Sequence, residues 1–349
     1  MFLLFLFALK NKKKIIVMIF LIMLFSISGV FIDNSFNQSI AVGEVDGKTY
    51  IKWVSFDVTY PALKKAMDLD ISSHNKEGNK YNWIEILSYL GAKYGGKFSR
   101  YEESDMNTFI KRLEAGEKVE DITKDMKFYS YYLEAYTAVL SEFVGDYKIQ
   151  VVDKDGNIQW QEKYGLKVFS PIAAGYSYTD YDDFGAGRDY GYKRKHLGHD
   201  MMGNLGTPII AVESGTVEQL GWNRYGGWRI GIRSFDKKRY YYYAHLRKDN
   251  PYVKGLETGN IVKAGDVIGY LGRTGYSIKE NVNNIDVNHL HFGMQLIFDE
   301  VQKDGINQIW INVYPIAELL SKNRSKVIKD QDTKDYKRVY DFFEHNLEE

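Results

Sequence analysis

The chain has 349 residues, with 46 lysines and arginines balancing 46 aspartates and glutamates, no cysteine, and an aromatic share of 15%. That length suggests roughly two domains with ample chain to bury a core, and the zero net charge argues against a dedicated nucleic-acid binder. The lack of cysteine excludes disulfides, thiolate zinc fingers, iron–sulfur clusters and a thiol nucleophile, while a hydrophobic share of 44% excludes a mainly disordered chain.

At the N-terminus an apolar stretch over residues 1–9 is followed by Lys10, Lys12, Lys13 and Lys14, and then by residues 15–32, IIVMIFLIMLFSISGVFI, which carry no charge. That length is at the short end of a membrane-spanning helix and just above a signal-peptide core. Lysines before the run and none directly after it predict a cytoplasmic N-terminus with the rest outside. The expectation is a signal anchor over 1–33, giving a single-pass cell-membrane protein. The alternative is a signal peptide removed near Ser39 and Ala41, giving a secreted one.

Residues 34–49 read as a polar linker, and 50–145 as an all-helical domain of unknown role. Trp83, Ile84, Leu87, Leu90 and Tyr94 recur at helical spacing before the stop at Gly95-Gly96. Ser104 or Asp105 is placed to cap a segment carrying Met106, Phe109, Ile110 and Leu113 on one face, and a third stripe holds Tyr132, Tyr136, Val139 and Phe143. From about residue 147 the pattern changes. Two extended stretches flank Asp155-Gly156, a hairpin signal, and glycines then punctuate β-branched and aromatic runs at 208–212, 215–220, 228–233, 239–245, 261–271 and 289–296. These predict an antiparallel β domain over 146–312, followed by a helical, solvated tail over 313–349. The fold class expected is therefore α+β multidomain: membrane helix, all-helical domain, antiparallel β domain and C-terminal helical tail.

Five of the seven histidines, His196, His199, His245, His289 and His291, fall in the β domain. His196 and Asp200 lie four apart, but Gly198, Gly203 and Gly206 disfavour a helix. Fully extended, four residues span about 13 Å, too far to share one ion, so the segment must bend, and Gly198 is where it can. His289 and His291 point to one side of a strand while Leu290 and Phe292 point into the core. The same alternation puts Tyr243 and His245 on one face. One carboxylate and three histidines can furnish three metal ligands and an acid–base group around an open position.

The motifs KHLGHD, LGTPIIAVESGTV, YGG-W-IGI, YYYAHL, VKAGDVIGYLGRTG and NHLHF, in this order between residues 195 and 296, resemble the M23 (lysostaphin/LytM-type) zinc metallopeptidases. The resemblance implies a small antiparallel β domain with a long groove. It also implies Zn2+ held by His196, Asp200 and His291, and two further catalytic histidines, His245 and His289, to handle the proton and the developing oxyanion. The implied activity is a zinc metalloendopeptidase cutting peptidoglycan peptide stems or cross-bridges. The alternative is a catalytically silent M23-like scaffold bound to an envelope or sporulation protein, and a third reading has the helical region covering the groove. No nucleic-acid partner is expected. His199, Gly293 and a long 276–288 loop depart from the family pattern. Trp222, Tyr225, Trp228 and the 240–243 tyrosines are expected either to grip substrate or to pack.

Overall fold

The computed structural model describes residues 42–45, 48–189, 193–305 and 307–344. Two compact units, Met1–Trp53 and Val54–Glu349, divide the chain. In the first, strands β1 (Val42–Val45) and β2 (Lys48–Ile51) pair as an antiparallel hairpin. Among the described residues no helix is long and apolar enough to cross a membrane. That finding overturns the expected single-pass membrane localisation; the run at 15–32 on which it was built lies outside the described residues.

The second unit opens with helices α1 (Tyr60–His74), α2 (Trp83–Tyr94), α3 (Glu103–Glu114), α4 (Val119–Thr123) and α5 (Tyr129–Leu140). The ends of α2 have clear causes. Asn82 Oδ1 accepts the backbone N–H groups of Ile84 (2.8 Å) and Glu85 (3.3 Å), and Gly95 closes the helix in the left-handed region at φ 60°. Helix α3 starts ahead of the expected Ser104 or Asp105 cap because Asp105 is engaged elsewhere, accepting from Lys93 Nζ at 2.5 Å and Tyr94 Oη at 2.7 Å. Helices α2 and α5 approach closely at Gly91, where a Cβ would lie 3.0 Å from the rings of Tyr132 and Tyr136.

A long hairpin follows, β3 (Val144–Val152) and β4 (Ile158–Leu166). Its turn is set by Gly156 at φ 87° and by Asp153, which accepts the N–H groups of Asp155 and Asn157. Short strands β5 (Tyr178–Thr179), β6 (Gly187–Asp189) and β7 (Lys193–Lys195) lead into β8 (His199–Gly203) and β9 (Pro208–Ile210). Next come β10 (Gly215–Asn223), β11 (Gly227–Ser234), β12 (Arg239–Ala244), β13 (Ile261–Val262), β14 (Val267–Tyr270), β15 (His289–Leu296) and β16 (Ile309–Trp310). The main sheet is antiparallel, in the order β13-β10-β11-β12-β15-β8-β5, with β16 also on β15. The expected 261–271 strand is broken in two by the left-handed Gly265 at φ 90°.

The helical tail needs correction. Among the described residues of the tail only α6 (Tyr314–Leu320) is helical, and β17 (Val327–Lys329), β18 (Tyr336–Arg338) and β19 (Phe342–Phe343) follow. Phe342 is the reason: it is fully buried against Phe169, Ala173, Ile210, Ala264 and Val267, and β19 adds to β3. Arg338, which reads as part of a solvated face, stacks on Phe169 and Phe342 and donates to Ala264 O at 3.0 Å.

The helices are joined to the sheet through Arg239, which is 0% exposed. Its guanidinium meets Glu213 at 2.8 and 3.1 Å and Asp236 at 2.8 Å, and donates to the carbonyl of Ala138 in α5 at 2.7 Å. Tyr241 also hydrogen-bonds Glu213. Even so, burial outweighs these contacts and pushes the Glu213 carboxyl above its usual range. Breaking a buried pair from one side costs about 3–5 kcal/mol, whereas replacing both partners with apolar groups costs much less. Arg239→Met is therefore expected to lower the unfolding free energy by about that amount, with part regained in Arg239→Met/Glu213→Leu. Urea unfolding of the single and double variants checks this, and simple addition of the two single losses would rule out the coupling.

Candidate active site

The strand pairing of β8 with β15 sets Asp200 opposite His291 and Met202 opposite His289. His196 reaches the same point from the turn before β8. His196 Nε2 lies 3.1 Å from Asp200 Oδ1 and 3.1 Å from His291 Nδ1, and His291 Nδ1 lies 2.9 Å from Asp200 Oδ1. Two imidazole nitrogens and one carboxylate oxygen thus converge on a point, and among the described residues they form a group able to hold a metal ion. A tetrahedral zinc at about 2.1 Å from each donor wants the donors about 3.4 Å apart, so the triangle is within about half an ångström of that size. The bend expected at Gly198 has a second cause, since a Cβ there would sit 2.4 Å from the His291 ring.

Asp183 and Arg188 complete this corner, and neither carries a signal in the sequence. His196 Nδ1 lies 2.9 Å from Asp183 Oδ1. A carboxylate only accepts, so Nδ1 carries the proton and Nε2 presents its lone pair to the convergence point. Arg188 pairs with Asp183 and reaches Asp200 Oδ2 at 3.2 Å. Thirteen residues separate Asp183 from His196, with no periodic pattern linking them, so only the folded loop reveals the contact. Burial would raise the Asp200 carboxyl, but the His196 and His291 imidazoles beside it hold it far below the usual carboxylate range. Burial likewise lowers His196, yet Asp200 and Asp183 outweigh it and leave this imidazole raised. His291 remains lowered, because its burial beside His196 and His289 exceeds the help from Asp200.

His245 and His289 stand next to this group. The ring centroids of His245 lie 4.7 Å from His289 and 5.8 Å from His291, and His289 Nε2 is 3.8 Å from Asp200 Oδ1. His245 Nδ1 meets Thr274 O at 2.9 Å, and His289 Nδ1 meets Val287 O at 2.9 Å. Carbonyls only accept, so both Nδ1 atoms carry protons and both Nε2 atoms are free to take one. His245 is buried, and desolvation, reinforced by the neighbouring His289 and His291, holds its pKa well below the ordinary imidazole value. Its backbone is left-handed, φ 61°, a region uncommon for residues other than glycine. This turn overrides the alternation: Tyr243 faces the core, where its hydroxyl oxygen accepts the Val212 N–H at 3.0 Å, while Tyr242, Ala244 and His245 line the cleft.

The cleft is a cavity of about 1090 Å³, and all its lining residues fall between positions 181 and 291. No described helix contributes to it, so the helices do not cover the groove. Arg239, where α5 meets the sheet, and Ala244, next to His245, are at opposite ends of β12, about 17 Å apart at strand rise. The 276–288 loop forms one wall. Trp222 and Trp228 brace that loop, donating from Nε1 to Ser277 O (3.3 Å) and Asn281 Oδ1 (2.9 Å), whereas Tyr225 and Tyr242 line the cleft. His199 is buried on the other face against Asp180 Oδ2 at 2.8 Å. A Cβ at Gly293 would come 2.9 Å from Trp310, which explains the missing side chain there.

Comparison with known proteins gives a consistent picture. The model of Peptidase family M23 matches residues 194–304. The L-Ala--D-Glu endopeptidase of Bacillus subtilis strain 168 is 43% identical over 124 residues, 36% of this chain and 36% of that protein. Lysostaphin of Staphylococcus simulans is 40% identical over 98 residues, covering 28% of this chain and 17% of that one. The chain therefore aligns with well under half the length of either relative. The lytM structure from Ruminococcus gnavus superposes with a TM-score of 0.54 at 21% identity, over 84% of this chain and 97% of that one, a likeness of fold.

The electrostatics of His245 carry a pH signature. With its folded pKa below the unfolded value of about 6.5, the unfolded chain binds more protons as the medium acidifies, so the contribution is intact above pH 6.5 and lost as pH falls below it. His291 acts in the same direction and His196 in the opposite one. In metal-free protein, His245→Asn, which tolerates the left-handed backbone, is expected to flatten the fall in stability between pH 7 and 5. Parallel stability profiles for the two proteins would contradict the assignment.

Proposed function

We propose that this chain, whose residues 194–304 match the model of Peptidase family M23, is a zinc metalloendopeptidase hydrolysing peptide bonds of cell-wall peptidoglycan. The observation that carries the reading is the convergence of His196 Nε2, Asp200 Oδ1 and His291 Nδ1 within 3.1 Å of one another, flanked by two more histidines in the same cleft. The relatives add weight, one acting on an L-Ala–D-Glu bond and another being a glycyl-glycine endopeptidase, ALE-1 of Staphylococcus capitis, 39% identical over 98 residues.

His196, Asp200 and His291 would hold the metal, with Asp183 fixing the His196 tautomer. Bound zinc would supply Lewis acidity, polarising the scissile carbonyl and making water a better nucleophile at neutral pH. The protein's own part is proton handling at two atoms. One of the two, His245 Nε2 or His289 Nε2, accepts the proton during attack; the Nε2–H so formed donates to the developing oxyanion, and its proton passes to the leaving amine as the C–N bond breaks. The anchored Nδ1–H groups keep both rings aimed at the cleft. Burial favours the neutral form of His245, the form able to accept a proton.

The test separates metal holding from proton transfer. Asp200→Ala and His291→Ala should lose stoichiometric zinc in a chelator competition, together with release of new amino termini from peptidoglycan sacculi. His245→Ala should keep zinc while losing about 10²–10⁴-fold in rate. Gly198→Ala, which drives a methyl into His291, should weaken zinc binding although no ligand is removed. Folded, zinc-loaded wild-type protein that releases no amino termini would sink the enzyme reading and leave the scaffold in its place.

A further inference from the structure

The cleft wall carries an excess of positive charge that the metal and proton chemistry does not use. Four cationic side chains line it, Arg188, Arg194, Arg224 and Lys279, against the carboxylates of Asp200 and Asp286. Arg188 is compensated by Asp183 and Asp200, and Asp200 belongs to the metal triangle. Arg224 and Lys279 stand on the same wall as Asp286. Among the described residues no carboxylate forms an ion pair with Arg224 or Lys279, and both are exposed at the rim.

Their placement is fixed by backbone pairing. Ser277 N donates to Arg224 O at 2.9 Å and Tyr276 N to Tyr225 O at 3.2 Å, joining the Arg224 turn to the start of the 276–288 loop. Ser277 Oγ then donates to Lys279 O at 2.8 Å, so both cations rise from one braced rim. The Arg224 guanidinium lies 4.8 Å from the Tyr225 ring centroid, and Arg194 lies 5.2 Å from that of Tyr276, whose ring is 5.9 Å from His245. A guanidinium stacked on a ring is pre-oriented, with its N–H edge left to meet a planar anion. On the other side, Met202, Asp286 and Val287 continue the cleft into a second hollow of about 470 Å³ with Asp286 its only charged lining residue. The groove is thus cationic at one end.

Resting on the proposed peptidase activity, we infer that this cleft selects peptides bearing a free carboxylate near the scissile bond, bound by Arg224 and Lys279, over uncharged glycine-rich peptides. A neutral chain offers these rim cations no charged partner, whereas a carboxylate forms charge-assisted hydrogen bonds with them. The two kinds of bond cut by the relatives differ in this respect, since D-glutamate brings a carboxylate and glycine does not.

The experiment compares zinc-loaded full-length protein on three peptides: one with an L-Ala–D-Glu segment carrying its free carboxylate, the same peptide as its carboxamide, and pentaglycine. The free acid should be cut with kcat/KM about ten-fold or more above the carboxamide, and the ratio should shrink with added salt. In Arg224→Gln/Lys279→Gln the ratio should fall toward one, with folding checked by thermal melting. Arg224→Glu, should the double variant not fold, is expected to invert the preference. Equal rates on acid and carboxamide, or a preference for pentaglycine, would overturn the inference while leaving the peptidase reading intact. A preference that survives both variants would overturn the assignment to this rim. Cleavage of none of the three, together with no release from sacculi, would instead defeat the peptidase reading on which the inference rests.

Discussion

Across strands β8 and β15, Asp200 faces His291, and the rest of the site is arranged around that pairing. Side chains directly opposite each other on one face of an antiparallel pair are within contact reach, so the ladder itself brings a carboxylate to 2.9 Å from an imidazole. The constraint is unforgiving, because a one-residue slip would turn Asp200 to the face that now holds His199 and Met201. That opposite face is committed to the interior: Met201, Leu290 and Phe292 are 0% exposed. The hydrophobic core thereby fixes the register, and the register brings the donor atoms of Asp200 and His291 together.

Around this pairing, each histidine is oriented by a hydrogen bond on its far side. Asp183 holds His196, Thr274 O holds His245 and Val287 O holds His289. Each bond removes a tautomer choice and a rotational freedom that would otherwise have to be settled when substrate arrives. Close backbone approach does similar work at Gly198 and Gly275. A Cβ on Gly275 would lie 2.4 Å from Tyr225 O and 3.1 Å from His245 Nδ1, so the loop wall is able to sit against the His245 ring only because nothing projects there.

The helical region has a structural part that its distance from the cleft makes plain. Through Arg239 it closes over Glu213 at the far end of β12, and through Asp70 it ties Trp83 N and the Tyr164 hydroxyl together at 3.0 and 2.7 Å. Buried ionic contacts of this kind contribute little net stability against apolar replacements, yet they penalise any other arrangement of the same surfaces. They hold the helices in one place on the sheet without reaching the groove.

Local sequence signals determined a good deal. The α2 boundaries follow from Asn82 and Gly95, the β3–β4 hairpin from Asp155-Gly156, and β15 from its alternation, because caps, turns and period-two patterning act over a few residues. The five candidate site residues were legible through their spacing and through resemblance. Tertiary structure alone decided the rest. His245 turns out of strand alternation because its backbone enters the left-handed region, Trp222 and Trp228 brace a loop where they were expected either to grip substrate or to pack, and the charged C-terminal segment forms strands because Phe342 finds a core site among residues 169–267. Asp183 and the cationic rim belong to the same class. Their meaning comes from contacts between segments distant in the chain, and a pattern read along one strand carries no information about which distant group will lie opposite.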